Sequence, residues 1–143
     1  MATHVAIAIL YQKDKFLMQL RDNKPNIVYP GCWGLFGGHI EPGETSEVAV
    51  QREILEEIDY IPPTFSKFGC YRDERAVRHV FHAPLTVELN QLVLNEGWDM
   101  GLVTPEDIRQ GSCYSSMSGD MRPFGSVPQR ILLDFIDKGM GNR

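Results

Sequence analysis

Cysteine is scarce: Cys32, Cys70 and Cys113 are odd in number and none lies in a C-x-x-C spacing. That excludes a disulfide framework and a cysteine zinc site, and points to free thiols in a reducing compartment. Positive charge is also thin, with 14 Lys and Arg against 19 Asp and Glu and a net charge of −5. Such a balance argues against a broad nucleic-acid or membrane-surface footprint. Long apolar runs are missing. The stretch over residues 5–10 is too short to span a bilayer, and Lys13-Asp14-Lys15 soon follows, so no signal peptide is read there. A cytoplasmic protein that binds neither nucleic acid nor membrane is expected. Repeats, linkers and low-complexity runs are absent too, so residues 1–143 are expected to form one domain. At 43% apolar residues it has enough material for a core without staples.

What is present is a regular alternation of elements. Residues 4–11, rich in Val and Ile, read as a strand buried on both faces, and residues 16–21 as its hairpin partner. Residues 22–30, with two prolines and two asparagines, read as a loop. A short strand over residues 32–36 is expected to lead into Gly37-Gly38, whose missing β-carbons permit close approach to a phosphate or metal. Residues 65–74 and 77–89 read as two longer strands, with Pro84 hinting at an edge or bulge in the second. Residues 98–103 form another short strand. Thr104-Pro105 opens a short helix, with Thr as cap and Pro at the first position. Residues 111–125, rich in Ser, Gly and Met, read as a mobile loop. Residues 127–138 close the chain as an amphipathic helix. The order predicts an α/β fold with a mixed sheet and helices on both faces.

The densest information lies in residues 38–60, GHIEPGETSEVAVQREILEEIDY. Pro42-Gly43 suits the centre of a type II turn, and Thr45 can cap a helix that Pro62-Pro63 must end near Asp59. A helical wheel places Val48, Ile54, Leu55 and Ile58 on an apolar arc. Glu53, Glu56 and Glu57, at i, i+3 and i+4, fall on another face. An acidic face can be a merely solvated one, but solvated faces usually interleave signs, and like charges at this spacing repel by a few tenths of a kcal/mol. Glu41 and Glu44 add two more carboxylates, whereas Arg52 is the nearby cation on the helix. Hard oxygen ligands gathered this way call for a divalent cation, magnesium first, held with part of its water shell and a substrate phosphate.

The spacing of Gly38, Glu44, Arg52-Glu53, Ile54, Glu56-Glu57 and Tyr60 resembles the Nudix box, with Asp59 where that pattern has glycine. The resemblance implies a Nudix-type α/β/α sandwich and a metal-dependent hydrolase of nucleoside diphosphates linked to another group. It implies Glu53, Glu56 and Glu57 as ligands of Mg²⁺, with Mn²⁺ as the alternative, and the Gly37 carbonyl completing the shell. Arg52 resembles the arginine that fixes a box carboxylate, and Glu44 the residue that orients Arg52 or its loop. The general base of such enzymes is a box glutamate or an acid on a distant loop. Here Glu96 and Asp99 are the distant candidates, and Glu96 is preferred because Glu-Gly before a short strand is similar to the family's loop. His39, where many relatives carry lysine, is the best phosphate contact, beside Gly37, Gly38 and Arg21. Arg72, Arg75 and Arg78 are further phosphate candidates, and Trp33, Phe36, Tyr71 and Phe81 are candidate stacking surfaces for a base.

The expected partner is a small nucleotide or diphosphate, with a nucleoside triphosphate or nucleotide sugar favoured by the short chain. A non-catalytic nucleotide sensor on the same fold is the alternative, although a pure binder has no need of all three carboxylates. Nothing in the sequence specifies an oligomeric state.

Overall fold

The computed structural model describes residues 2–139. Its contacts divide into two units, one from the segment ending at Leu10 together with Phe36–Asn95, the other from Tyr11–Leu35 together with the chain from Glu96 on. Strand β1 (Thr3–Gln12) runs from the first into the second.

In the first unit, β1 pairs antiparallel with β4 (Phe36–His39), Ala6 opposite Gly38 and Ile7 opposite Gly37. Its other neighbour is β6 (Ala76–Pro84), which pairs antiparallel with β5 (Ser66–Arg72). The strand expected over residues 77–89 with an edge or bulge at Pro84 instead ends at Pro84, which cannot extend the ladder, and the register shift lies in β5, between Lys67 and Gly69. Helix α1 (Ser46–Ile58) packs on β4. Its start is as expected: Glu44 N donates to Glu41 O across a turn with Gly43 at φ 80°, and Thr45 accepts from Val48 N.

The buried face of α1 differs from the helical-wheel arc. Ala49, Val50, Ile54 and Ile58 are buried with Glu57, whereas Val48 is 55% and Leu55 45% exposed. The wheel counted apolar side chains. Packing on β4 instead seats the Glu57 carboxylate on the Gly37 N–H.

In the second unit, β2 (Lys15–Leu20) pairs antiparallel with the end of β1, with β3 (Trp33–Gly34) and with β7 (Asp99–Val103). Helix α2 (Pro105–Gln110) begins with a reciprocal cap between Thr104 and Asp107. Helix α3 (Ser126–Asp137) buries Ile131, Leu132 and Phe135, the last against Tyr11 and Phe16. Residues 111–125 are not the irregular loop that their composition suggested. They contain an antiparallel hairpin, β8 (Ser112–Ser115) with β9 (Asp120–Pro123). Small polar residues pair well enough here because buried Ser115 is anchored to Asp99.

Candidate stacking residues Trp33, Phe36 and Phe81 are core side chains. The three cysteines are free. Among the described residues no helix is long and apolar enough to cross a membrane.

Candidate active site

The box residues meet where α1 crosses β4, in the first unit. Arg52 is the hub. Its Nε and Nη2 donate to both carboxylate oxygens of Glu44 at 2.7 and 3.0 Å, a two-pronged pairing that fixes both planes. Nη2 also donates to the His39 carbonyl at 3.1 Å, and Nη1 to Glu53 at 2.9 Å and Glu56 at 3.5 Å. Glu41 lies 3.8 Å from the same Nη1. One guanidinium thus ties the turn, the strand end and two helix carboxylates together.

The hydrogen bonds from Arg52 draw the Glu44 carboxyl down to about 2, helped by the Glu41 N–H. The same pairing, with Glu44 foremost, raises the pKa of Arg52 and keeps it protonated. Glu44 is therefore ionised and paired with Arg52 near neutrality.

Gly37 and Gly38 have a more particular task than openness to a ligand. Gly37 lies at φ 153°, and a β-carbon there would run into the Ala6 carbonyl and Ile7 Cα of β1. A β-carbon on Gly38 would occupy the position of the Glu53 carboxylate. The pair lies within β4, not in a loop after a strand, and clears room for acids that α1 lays on the sheet. Gly37 N–H also donates to Glu57 Oε1 at 3.0 Å.

The three expected ligands therefore differ in setting. Glu56 is exposed, its side chain 59% accessible, and Glu53 is partly covered. Glu57 is buried, only 5% exposed. Among the described residues, no three His, Cys, Asp or Glu side chains already surround one metal position. The donor set nevertheless fits a hard divalent ion. It consists of carboxylate oxygens, two of them gathered by one guanidinium, beside a cradle that any β-carbon at Gly38 would fill.

Glu96, Asp99 and Arg21 belong to the second unit. Asp99 Oδ2 accepts from Ser115 Oγ at 2.7 Å and Met117 N at 3.5 Å, and Oδ1 from Met100 N at 2.7 Å. Arg21 Nε donates to the Val28 carbonyl at 2.6 Å, which anchors it to the loop that follows β2. Arg78 is paired with Asp73 at 2.9 Å. His39 is exposed, and its own carbonyl serves Arg52.

Sequence reasoning missed Asn95. Its Nδ2 donates to the Glu56 carbonyl at 2.8 Å and to Asp59 Oδ1 at 3.2 Å. A lone asparagine in a connection carries no signal, but an acid at the box's glycine position does ask for a nearby donor.

Comparison with known proteins agrees with this geometry. The NUDIX domain family model matches residues 1–117. An ADP-ribose pyrophosphatase of Methanocaldococcus jannaschii is 45% identical over 71 residues, covering 48% of this chain and 40% of that protein. The chain thus spans less than half the length of that relative. The nucleoside triphosphatase NudI of Escherichia coli is 35% identical over 96 residues, covering 57% of this chain and 67% of that protein. The NUDIX domain of Shewanella oneidensis NrtR, solved with ADP ribose, superposes with a TM-score of 0.74 at 20% identity. That superposition covers 98% of this chain and 90% of the other, and it shows the same α/β fold. The chain belongs to the Nudix hydrolase family, on the match over residues 1–117 and the box that its α1–β4 contact displays.

Proposed function

We propose that the chain is a Mg²⁺-dependent pyrophosphohydrolase that cleaves a phosphoanhydride bond in a nucleoside di- or triphosphate derivative, a nucleoside triphosphate or nucleotide sugar foremost. The observation that carries this reading is the gathering of Glu53, Glu56 and Glu44 on Arg52, with Glu57 seated on Gly37. Relatives named for ADP-ribose and nucleoside triphosphate cleavage support the bond type.

Nudix hydrolases generally use divalent metal ions. Glu53, Glu56 and Glu57, with the Gly37 carbonyl, would hold the ion, and Mn²⁺ could replace Mg²⁺ in the same oxygen shell. Bound there, the ion offsets diphosphate charge and lowers the pKa of its water. Arg52 engages Glu53 at 2.9 Å and Glu56 more loosely at 3.5 Å, and so limits the reorganisation that binding requires. Exposed His39 supplies a phosphate contact at the end of β4.

Glu96 is the preferred general base. Asp99, the competing acid, has both carboxylate oxygens committed to Ser115, Met117 and Met100, which suits it to bracing the β8–β9 hairpin.

Incubating a nucleotide panel with magnesium and identifying the released phosphates tests the reading. Release of a mononucleotide or pyrophosphate supports it. Tight nucleotide binding with no turnover across the panel would replace it with the sensor function.

A further inference from the structure

The last turn of α1 is closed in an unusual way. A helix leaves its final four carbonyls without partners inside the helix. Leu55 O accepts from Asp59 N at 3.0 Å, the ordinary bond of a left-handed cap. The other three are all met by one distant segment. Glu56 O accepts from Asn95 Nδ2 at 2.8 Å, Glu57 O from Asn95 N at 2.9 Å, and Ile58 O from Val93 N at 3.2 Å. Asn95 Nδ2 is shared with Asp59 Oδ1 at 3.2 Å, so the residue that replaces the box glycine is part of the same clasp.

We propose that Asn95 is a positioning residue of the active site. With Asp59 as its partner, it sets the direction of the helix turn that bears Glu56 and Glu57 and fixes the chain just before Glu96. This rests on the functional reading above.

Two facts favour it over a plain structural cap. The carbonyls that Asn95 holds belong to Glu56 and Glu57, two of the three expected ligands, so tilting that turn re-aims two carboxylates together. The next residue in the chain is Glu96, the preferred base, so Asn95 anchors the segment from which Glu96 departs. Asp59 also places a carboxylate at the negative end of the helix, an unfavourable position that the amide donor offsets. A glycine there would stop the helix equally well but remove the side-chain acceptor that Asn95 shares with Glu56 O.

The test is Asn95→Asp, which keeps size and the backbone bond to Glu57 but turns the donor into an acceptor facing Glu56 O and Asp59. At a temperature where circular dichroism shows a folded protein, kcat should fall about tenfold or more with KM nearly unchanged. Mn²⁺ binding, read by electron paramagnetic resonance without substrate, should weaken by about tenfold. The double variant Asp59→Asn/Asn95→Asp restores a donor–acceptor pair between the two positions and should recover part of both losses. If Asn95→Asp does not fold, Asn95→Ser, which loses the long donor but adds no charge, should show the same two losses in smaller measure.

A folded variant with wild-type kcat and Mn²⁺ affinity would overturn the proposal and leave Asn95 a cap alone. That failure differs from failure of the functional reading, in which the wild type itself turns over nothing and Glu56→Gln leaves Mn²⁺ binding intact.

Discussion

Removing the Glu57 carboxylate should affect stability and chemistry separately, because this acid is both a buried packing element and an expected metal ligand. Its side chain lies 5% exposed, with Oε1 accepting from Gly37 N–H at 3.0 Å. Glu57→Ala strips that acceptor from a strand in contact with α1. An unmet buried donor costs about 1–3 kcal/mol. The lost Cγ methylene adds about 0.8 kcal/mol. Stability should therefore fall by about 2–4 kcal/mol, or roughly 5–15 °C in Tm for a domain of this size. Glu57→Gln keeps shape and an acceptor for Gly37, so its stability should stay within about 1 kcal/mol, the weaker neutral hydrogen bond being offset by relief of a buried charge. Its kcat should nevertheless drop by at least ~10²-fold, about 2.7 kcal/mol of barrier. Exposed Glu56 offers the contrast: Glu56→Gln should lose as much activity while stability moves by about 0.5 kcal/mol or less. Urea unfolding and initial rates at saturating magnesium decide both parts. A Glu57→Ala protein as stable as the wild type would refute the seating of Glu57 on Gly37. Near-full activity in Glu57→Gln would refute its role as a ligand.

Other outcomes follow from the same geometry. Glu96→Gln should lower kcat by roughly 10²–10⁴-fold with little change in KM, whereas Asp99→Asn should chiefly loosen the β8–β9 hairpin, seen as faster hydrogen exchange there. The reverse ranking would move the base to Asp99. For Glu44, the folded pKa of about 2 lies below its ordinary 4.5, so the pairing with Arg52 contributes fully above pH 4.5 and is lost as pH falls through 2. Urea midpoints between pH 5 and 2 should therefore fall more steeply in the wild type than in Glu44→Gln, and parallel profiles would contradict the pairing. Asp59 sits at φ 54° and ψ 43°, so glycine there relieves a strained backbone and removes a charge from the wrong helix end. It also loses the Asn95 bond, about 0.5–1.5 kcal/mol, and loosens the unfolded chain. Asp59→Gly should thus leave stability within about 0.5 kcal/mol of the wild type in urea unfolding.

Local determinants were legible in the sequence, and non-local ones were not. The turn at Gly43, the Thr45 cap, the stop at Asp59 and the Arg52–Glu44 pair all depend on residues within one or two helical turns. The exposure of Val48 and Leu55 and the burial of Glu57 depend on what α1 packs against, β4 included, where the Gly37 N–H receives Glu57. A hydrophobic wheel holds no term for that partner. The hairpin at residues 112–123 was hidden because its strands are short and polar, and its anchor, Asp99, precedes it by a whole helix. Asn95 was invisible for the same reason, since its role exists only against a carbonyl 39 residues earlier and a carboxylate 36 residues earlier.

The most direct measurement is mononucleotide release from a hydrolysed panel substrate by metal-stripped protein, wild type and Glu56→Gln, before and after magnesium is restored. The expected result is no turnover in the stripped wild type, full recovery on adding magnesium, and about 1% or less of that rate in Glu56→Gln. Equal rates with and without magnesium, or equal rates in the two proteins, would contradict a metal-dependent pyrophosphohydrolase built on the box glutamates.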